Sequence, residues 1–184
     1  MTKPVTDLIA LTALGETAPK VETFGSMTLT ERPDIALASL AMRRGQSLSE
    51  LAGMVLPAPG ALAQGAGLTA FWAGQGQWMI EGPSRAHEDF AAWVKTQAEG
   101  ASVTEQTDGW VAFDVTGEDV EALLERLVNL PDAAKATGMA TRTGLHHMSV
   151  FLLRLAPDHC RIWGMRSYAG SLWHTLNEAA ARLG

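Results

Sequence analysis

Apolar and polar positions alternate from Trp110 to Val115, which puts Val111, Phe113 and Val115 on one face of a strand. Past Gly117 the period lengthens to that of a helix, and Val120, Leu123, Leu124, Leu127 and Val128 form a stripe. Thr116 is the expected helix cap, and Glu118 and Asp119 suit the positive end of the helix dipole. The same alternation of strands and helices runs along most of the chain. "DIALASLAMRRG" reads as a strand, and Ser47 with Glu50 reads as a capping box opening a short helix. "LTAFWAGQGQWMIEGP" reads as two strands turning at Gly74 and Gly76. Ser84 is placed to cap a helix through Phe90, Trp93 and Val94 that ends at Gly100. "GMATRTGL", "HHMSVFLLRLA" and "HCRIWGMR" are three strand-like runs, and Leu172, Leu176, Ala179, Ala180 and Leu183 share one face of a closing helix.

The order repeats. "QWMIEGPSRAHEDFAAW" aligns with "CRIWGMRSYAGSLWHTL", setting Ser84 over Ser167 and Phe90 over Trp173, and Gly45 matches Gly117 when "RRGQSLSEL" is set against "VTGEDVEAL". Two units of strand, helix, strands and helix predict an α+β protein of two ferredoxin-like halves, with helices on one side of each sheet. An unrelated mixed α/β sandwich is the alternative. Residues 1–30 lack a sustained period and are expected to form an extended arm, and residues 31–184 the domain with its two pseudo-repeats.

Composition narrows the function classes. The chain has 184 residues, 47% hydrophobic and 18% charged, enough to bury a core. Its net charge of −6 lacks the cationic footprint that a phosphate backbone requires, so nucleic acid is not expected as a partner. A single cysteine, and an N-terminal segment with Asp7 in its apolar run and no convincing cleavage site, point to the cytoplasm. From Leu51 through Ile80 no residue is charged, but two Pro and six Gly exclude a membrane helix. With six Trp and eight Met in the chain, this stretch is expected to form either a buried loop or a subunit contact, the contact being favoured.

Candidate chemistry is sparse. "GQGQWM" has Met79 where a dinucleotide loop needs its third glycine. His146 and His147, read as consecutive strand residues, point to opposite faces and cannot share an ion. His159 and Cys160 lack the further ligands of a zinc sphere, and Cys160 is read as a buried, inert thiol. Ser167 has no nucleophile elbow around it and reads as a helix cap; His87 and His174 lie on expected helices and read as solvated or locally bonded. Asp108, Asp114, Glu118 and Asp119 form the best carboxylate cluster, with Asp114 expected to face outward from its strand. Gly109 and Gly117 are assigned to the fold rather than to a ligand.

From "TERPDIALASLAMRRG" to its end, the chain resembles the gamma-subunit family of heterotetrameric sarcosine oxidases. The residues that carry the resemblance are "ALAQGAGLTAFWAGQGQWMIEGP", "VTEQTDGWVAFDVTGEDVEALLERL", "TRTGLHHMSVFLLR" and "RSYAGSLWHTLNEAA". That family is similar in fold to the folate-binding aminomethyltransferase of the glycine cleavage system. The resemblance implies a non-catalytic subunit of a complex that demethylates sarcosine to glycine, releasing hydrogen peroxide and either formaldehyde or 5,10-methylenetetrahydrofolate. It implies an alpha subunit as the main contact, with beta and delta subunits in the same complex, and it places FAD, FMN, NAD and zinc on those other chains. It assigns no catalytic, cofactor-binding or metal residue to this one. Two alternatives stand beside it: a stand-alone folate-binding aminomethyltransferase-like protein, and the gamma subunit of a related N-methyl amino acid dehydrogenase.

Overall fold

The computed structural model describes residues 9–184; the first eight residues of the expected arm lie outside that range. Thirteen strands and four helices follow in chain order: β1 (Val21–Phe24), β2 (Met27–Glu31), β3 (Ala36–Met42), β4 (Glu50–Leu51), β5 (Met54–Val55), β6 (Leu62–Gly65), β7 (Leu68–Gly74), β8 (Gln77–Gly82), α1 (Phe90–Gln97), β9 (Ala101–Glu105), β10 (Trp110–Thr116), α2 (Val120–Leu127), α3 (Asp132–Lys135), β11 (Ala140–Leu145), β12 (Met148–Ala156), β13 (His159–Met165) and α4 (Ala169–Ala181). The class is α+β, and every strand pairing is antiparallel.

Two large sheets share one order over five strands, and β1 is an extra edge strand on the second. One runs β6-β7-β8-β3-β9 and the other β11-β12-β13-β10-β2-β1. The first packs its outer face on α1 through Ala36, Ala38, Leu40, Ile80, Phe90 and Val94. The second packs its outer face on α2 and α4 through Phe113, Val115, Leu123, Ile162, Leu172 and Leu176. Between the two sheets lies a third apolar layer of Ile35, Leu37, Phe71, Met79, Phe151, Leu153 and Trp163. The order of layers is therefore helix, sheet, sheet, helix, so both faces of both sheets are covered.

The two halves match most closely where each second hairpin meets its helix. Gly82 is the last residue of β8 and Gly164 the penultimate residue of β13; an added Cβ would lie 2.5 Å from the Phe90 ring at the first and 2.7 Å from Leu172 Cδ2 at the second. Phe90, Val94 and Ala98 are buried at one helix, and Leu172, Leu176 and Ala180 at identical spacing on the other. The structural correspondence is thus Phe90 with Leu172, one residue away from the sequence alignment that set Phe90 over Trp173.

Other expectations change with the structure. Within the extended arm expected over residues 1–30, residues 21–30 lie in β1 and β2, which extend the second sheet with Leu29 paired to Val115 and Glu31 to Phe113. The short helix expected after Ser47 is instead the hairpin β4–β5, with Ala52 and Gly53 at φ 51° and 81° in its turn. Gly53 and Pro57 leave too few residues to nucleate a helix, and the hairpin buries Leu51, Met54 and Leu56. Asp89, not Ser84, caps α1, its carboxylate accepting from Ala92 N at 3.0 Å; Ser84 sits in the preceding turn at φ 60°. Thr116 does not cap α2, whose N-cap is Asp119, and Ser167 makes no capping bond to α4. The uncharged stretch is largely absorbed into the chain's own core: Leu51, Met54, Leu56, Leu68, Phe71, Met79 and Ile80 are buried, and Val55 is its one exposed large apolar side chain.

Candidate functional site

Two features could bear function: a charged network between the sheets and a cavity beside it. Glu81 on β8, Asp114 on β10 and Arg161 on β13 are all buried, each on the strand face opposite its apolar neighbours. Arg161 donates from Nε to Asp114 Oδ1 at 2.6 Å, from Nη2 to Asp114 Oδ2 at 2.9 Å and from Nη1 to Glu81 Oε2 at 2.8 Å. The indole N–H of Trp163 also donates to Glu81. Arg32, in the link from β2 to β3, forms a two-pronged pair with Asp34 at 2.8 Å and reaches Asp114 Oδ2 as well. His159 Nε2 lies 3.3 Å from the same Asp114 oxygen.

The electrostatics follow from this geometry. Burial works against the Asp114 charge, but the neighbouring His159 and the two hydrogen bonds from Arg161 outweigh it and hold the carboxyl well below the ordinary range. Glu81 shifts the other way: full burial pushes it up, more than Arg161 and Trp163 pull it down. Asp114 is thus a charged acceptor whose two oxygens are engaged by Arg161 and Arg32. The bonds that cross from one sheet to the other are those of Arg161 and Trp163 to Glu81, and Asp114 holds the Arg161 guanidinium in place for them.

The cavity has a volume of about 310 Å³. One wall is the chain segment of Ala10, Leu11, Thr12 and Ala13, and another comprises Trp110, Val111 and Trp163; Arg32, Asp108 and Arg166 also line it. The segment is held by Glu31, whose two carboxylate oxygens accept from Leu14 N and Lys20 N, both at 3.2 Å, and by Arg166, which donates to the Leu11 carbonyl at 3.3 Å. Lys20 also lies over the Trp173 ring at 5.3 Å.

The residues singled out in the sequence do not converge. His146 and His147 are not strand residues but the turn between β11 and β12, at φ 41° and 70°. His159 faces Asp114 between the sheets, whereas Cys160 points into the helix-side core, where burial pushes its thiol up to about 12. His87 precedes α1 in a turn, and exposed His174 on α4 lies 3.7 Å from Glu178. The carboxylate cluster is dispersed: Asp108 is exposed at the cavity, Glu118 and Asp119 are exposed at the start of α2, and Asp114 is buried rather than outward-facing. Asp119 accepts from Ser26 Oγ at 2.6 Å, an interaction within the scaffold. Among the described residues no group of three or more His, Cys, Asp and Glu side chains could hold a metal ion, and no helix is long and apolar enough to cross a membrane. Alternation placed Asp114 opposite the apolar face of its strand, but only the facing sheet makes that side interior as well.

No family model matches the chain, and no curated protein matches it in sequence. Its three-dimensional relatives are informative. The chain is similar to a chain of the heterotetrameric sarcosine oxidase from Corynebacterium sp. U-96, in complex with pyrrole 2-carboxylate, at a TM-score of 0.74 and 19% identity, over 88% of this chain and 87% of that one. The two share one fold. Similarity extends to the glycine cleavage system aminomethyltransferase T from Bartonella henselae, at a TM-score of 0.58 and 13% identity, over 85% of this chain. There the match covers only 49% of the other chain, so this protein spans about half of an aminomethyltransferase.

Proposed function

We propose that the chain is a non-catalytic gamma-type subunit of a heterotetrameric sarcosine oxidase. The observation that carries this reading is length: the match runs over nearly the whole of this chain and nearly the whole of a chain from such a complex, whereas it reaches only half of the aminomethyltransferase. The network at Asp114 supports it too, because the best-placed ionisable groups hold the two sheets together and are occupied in doing so. In this reading the complex demethylates sarcosine to glycine, its flavins, NAD and zinc reside on the other subunits, and the alpha subunit is the main contact.

Co-expression of a tagged copy with candidate alpha, beta and delta chains, followed by size exclusion, tests the proposal. Co-elution in a flavin-coloured peak with sarcosine-dependent peroxide formation is the expected result. A colourless monomer overturns it, and one that binds tetrahydrofolate by calorimetry establishes the stand-alone folate reading instead. Activity of the assembled complex on another N-methyl amino acid, in place of sarcosine, reassigns the substrate while keeping the subunit role.

A further inference from the structure

Among the described residues six large apolar side chains are exposed, and four of them come from only two short segments: Ile9 and Leu11 on one, Met165 and Tyr168 on the other. The hydrogen bond from Arg166 to the Leu11 carbonyl brings these segments together. Leu11 and Arg166 also line the 310 Å³ cavity, with Trp110 and Trp163 among its walls. Exposed apolar surface is therefore concentrated around a pocket that already has aromatic walls. Soluble chains keep such patches small unless another surface covers them.

Arg166 supplies the chemical selectivity. Arg32, Arg154 and Arg161 all pair with carboxylates, whereas among the described residues the side chain of Arg166 makes one hydrogen bond, which spends a single N–H on a backbone carbonyl. Its side chain lines a cavity whose one exposed acid is Asp108. An arginine beside exposed Met and Tyr, at the edge of an aromatic-walled pocket, has the composition of an interface anchor point. The cavity stands at the lower end of the range for small-molecule pockets, about 300–1,000 Å³, which suits one inserted side chain.

We propose that this face, formed by Leu11, Met165, Arg166 and Tyr168, docks a partner protein chain that inserts an apolar side chain into the cavity and sets a neighbouring carboxylate on Arg166. The inference rests on the subunit reading above and specifies which surface carries the contact. Arginine is the suitable donor, because its planar fork can hold a carboxylate with two parallel hydrogen bonds while its edge packs on aromatic rings.

The test measures assembly of the tagged chain with the co-expressed alpha, beta and delta chains, comparing wild type with Met165→Glu, Arg166→Glu and the charge-matched control Arg44→Glu. Arg44 lies on the exposed loop after β3, away from this face. Met165→Glu and Arg166→Glu are expected to weaken assembly roughly tenfold or more, Arg166→Lys to recover part of the loss, and Arg44→Glu to leave assembly near wild type. Unchanged melting temperatures of the isolated variants show that their folds are intact. A wild-type chain that does not assemble overturns the subunit reading and this inference with it. A wild type that assembles, with Met165→Glu and Arg166→Glu assembling equally well or Arg44→Glu failing equally badly, overturns the docking face alone.

Discussion

Replacing Arg161 with Met removes three hydrogen bonds and the cation that Glu81 and Asp114 share. The two carboxylates are 0% and 4% exposed, so water cannot take over the guanidinium's role. Breaking a buried pair by deleting one partner costs about 3–5 kcal/mol, here because Glu81 is left without its cation while Asp114 keeps Arg32. At about 2–4 °C per kcal/mol for a chain of this size, the melting temperature should fall by about 6–20 °C. The loss should depend on pH. In the wild type the depressed Asp114 pKa contributes stability that is present above the ordinary carboxylate value, near 3.9, and is lost as pH falls through the folded value. Glu81 is already raised, so its ionised form is a cost at neutral pH that protonation removes. Without Arg161 the already raised Glu81 rises further and Asp114 loses part of its depression, so the deficit of the variant should shrink between pH 7 and pH 5. Urea unfolding of both proteins at these two pH values measures it. A deficit under about 1 kcal/mol, or one equal at the two pH values, would refute the view that Arg161 neutralises buried charge between the sheets. Glu81→Gln and Asp114→Asn placed in the Met variant should restore much of the stability, since no buried charge is then left unpaired.

Gly117 has φ 126°, and an added Cβ would stand 2.1 Å from the Ser26 carbonyl, so Gly117→Ala should destabilise by more than about 2 kcal/mol in a denaturant melt. Glu31→Ala removes the acceptor for Leu14 N and Lys20 N, and limited proteolysis should then cut the 10–20 segment faster while global unfolding shifts less than the cleavage rate. Cys160 is fully buried with its thiol pushed up to about 12, so a thiol reagent at pH 8 should label it only at the rate of global unfolding. Fast labelling in native buffer would contradict the packing of β13 against α4.

The period-two run of β10, the stripe of α2 and the glycine turn between β7 and β8 were readable locally, because each is set by residues adjacent in the chain. The hairpin β4–β5 was not: Ser47 and Glu50 carry a helix-start signature, and only the burial of Leu51, Met54 and Leu56 against the first sheet decides between the two forms. Asp114 shows the more general difficulty. Alternation identifies its side of the strand, but whether that side meets water depends on a second sheet formed by residues 36–105. Likewise Glu81, Asp114 and Arg161 occupy three different strands in two sheets, and no spacing between them signals that they meet. The N-terminal strands were missed because β1 and β2 are short, rich in Thr, and paired with a strand far along the chain.

That long-range pairing shapes how the molecule can be assembled. The first half is contiguous from β3 to β9, whereas the second takes β10 to α4 from the end of the chain and β2 from its beginning. Closing so long a loop carries an entropic cost and lowers the folding rate, so β2 leaves the ribosome early and must wait for β10 before it has a partner. The C-terminal Gly184 already lies against Gly25, between β1 and β2. A circular permutant carrying Val21–Glu31 after Gly184 would place each half on one uninterrupted stretch of sequence, converting the slowest pairing into a local one.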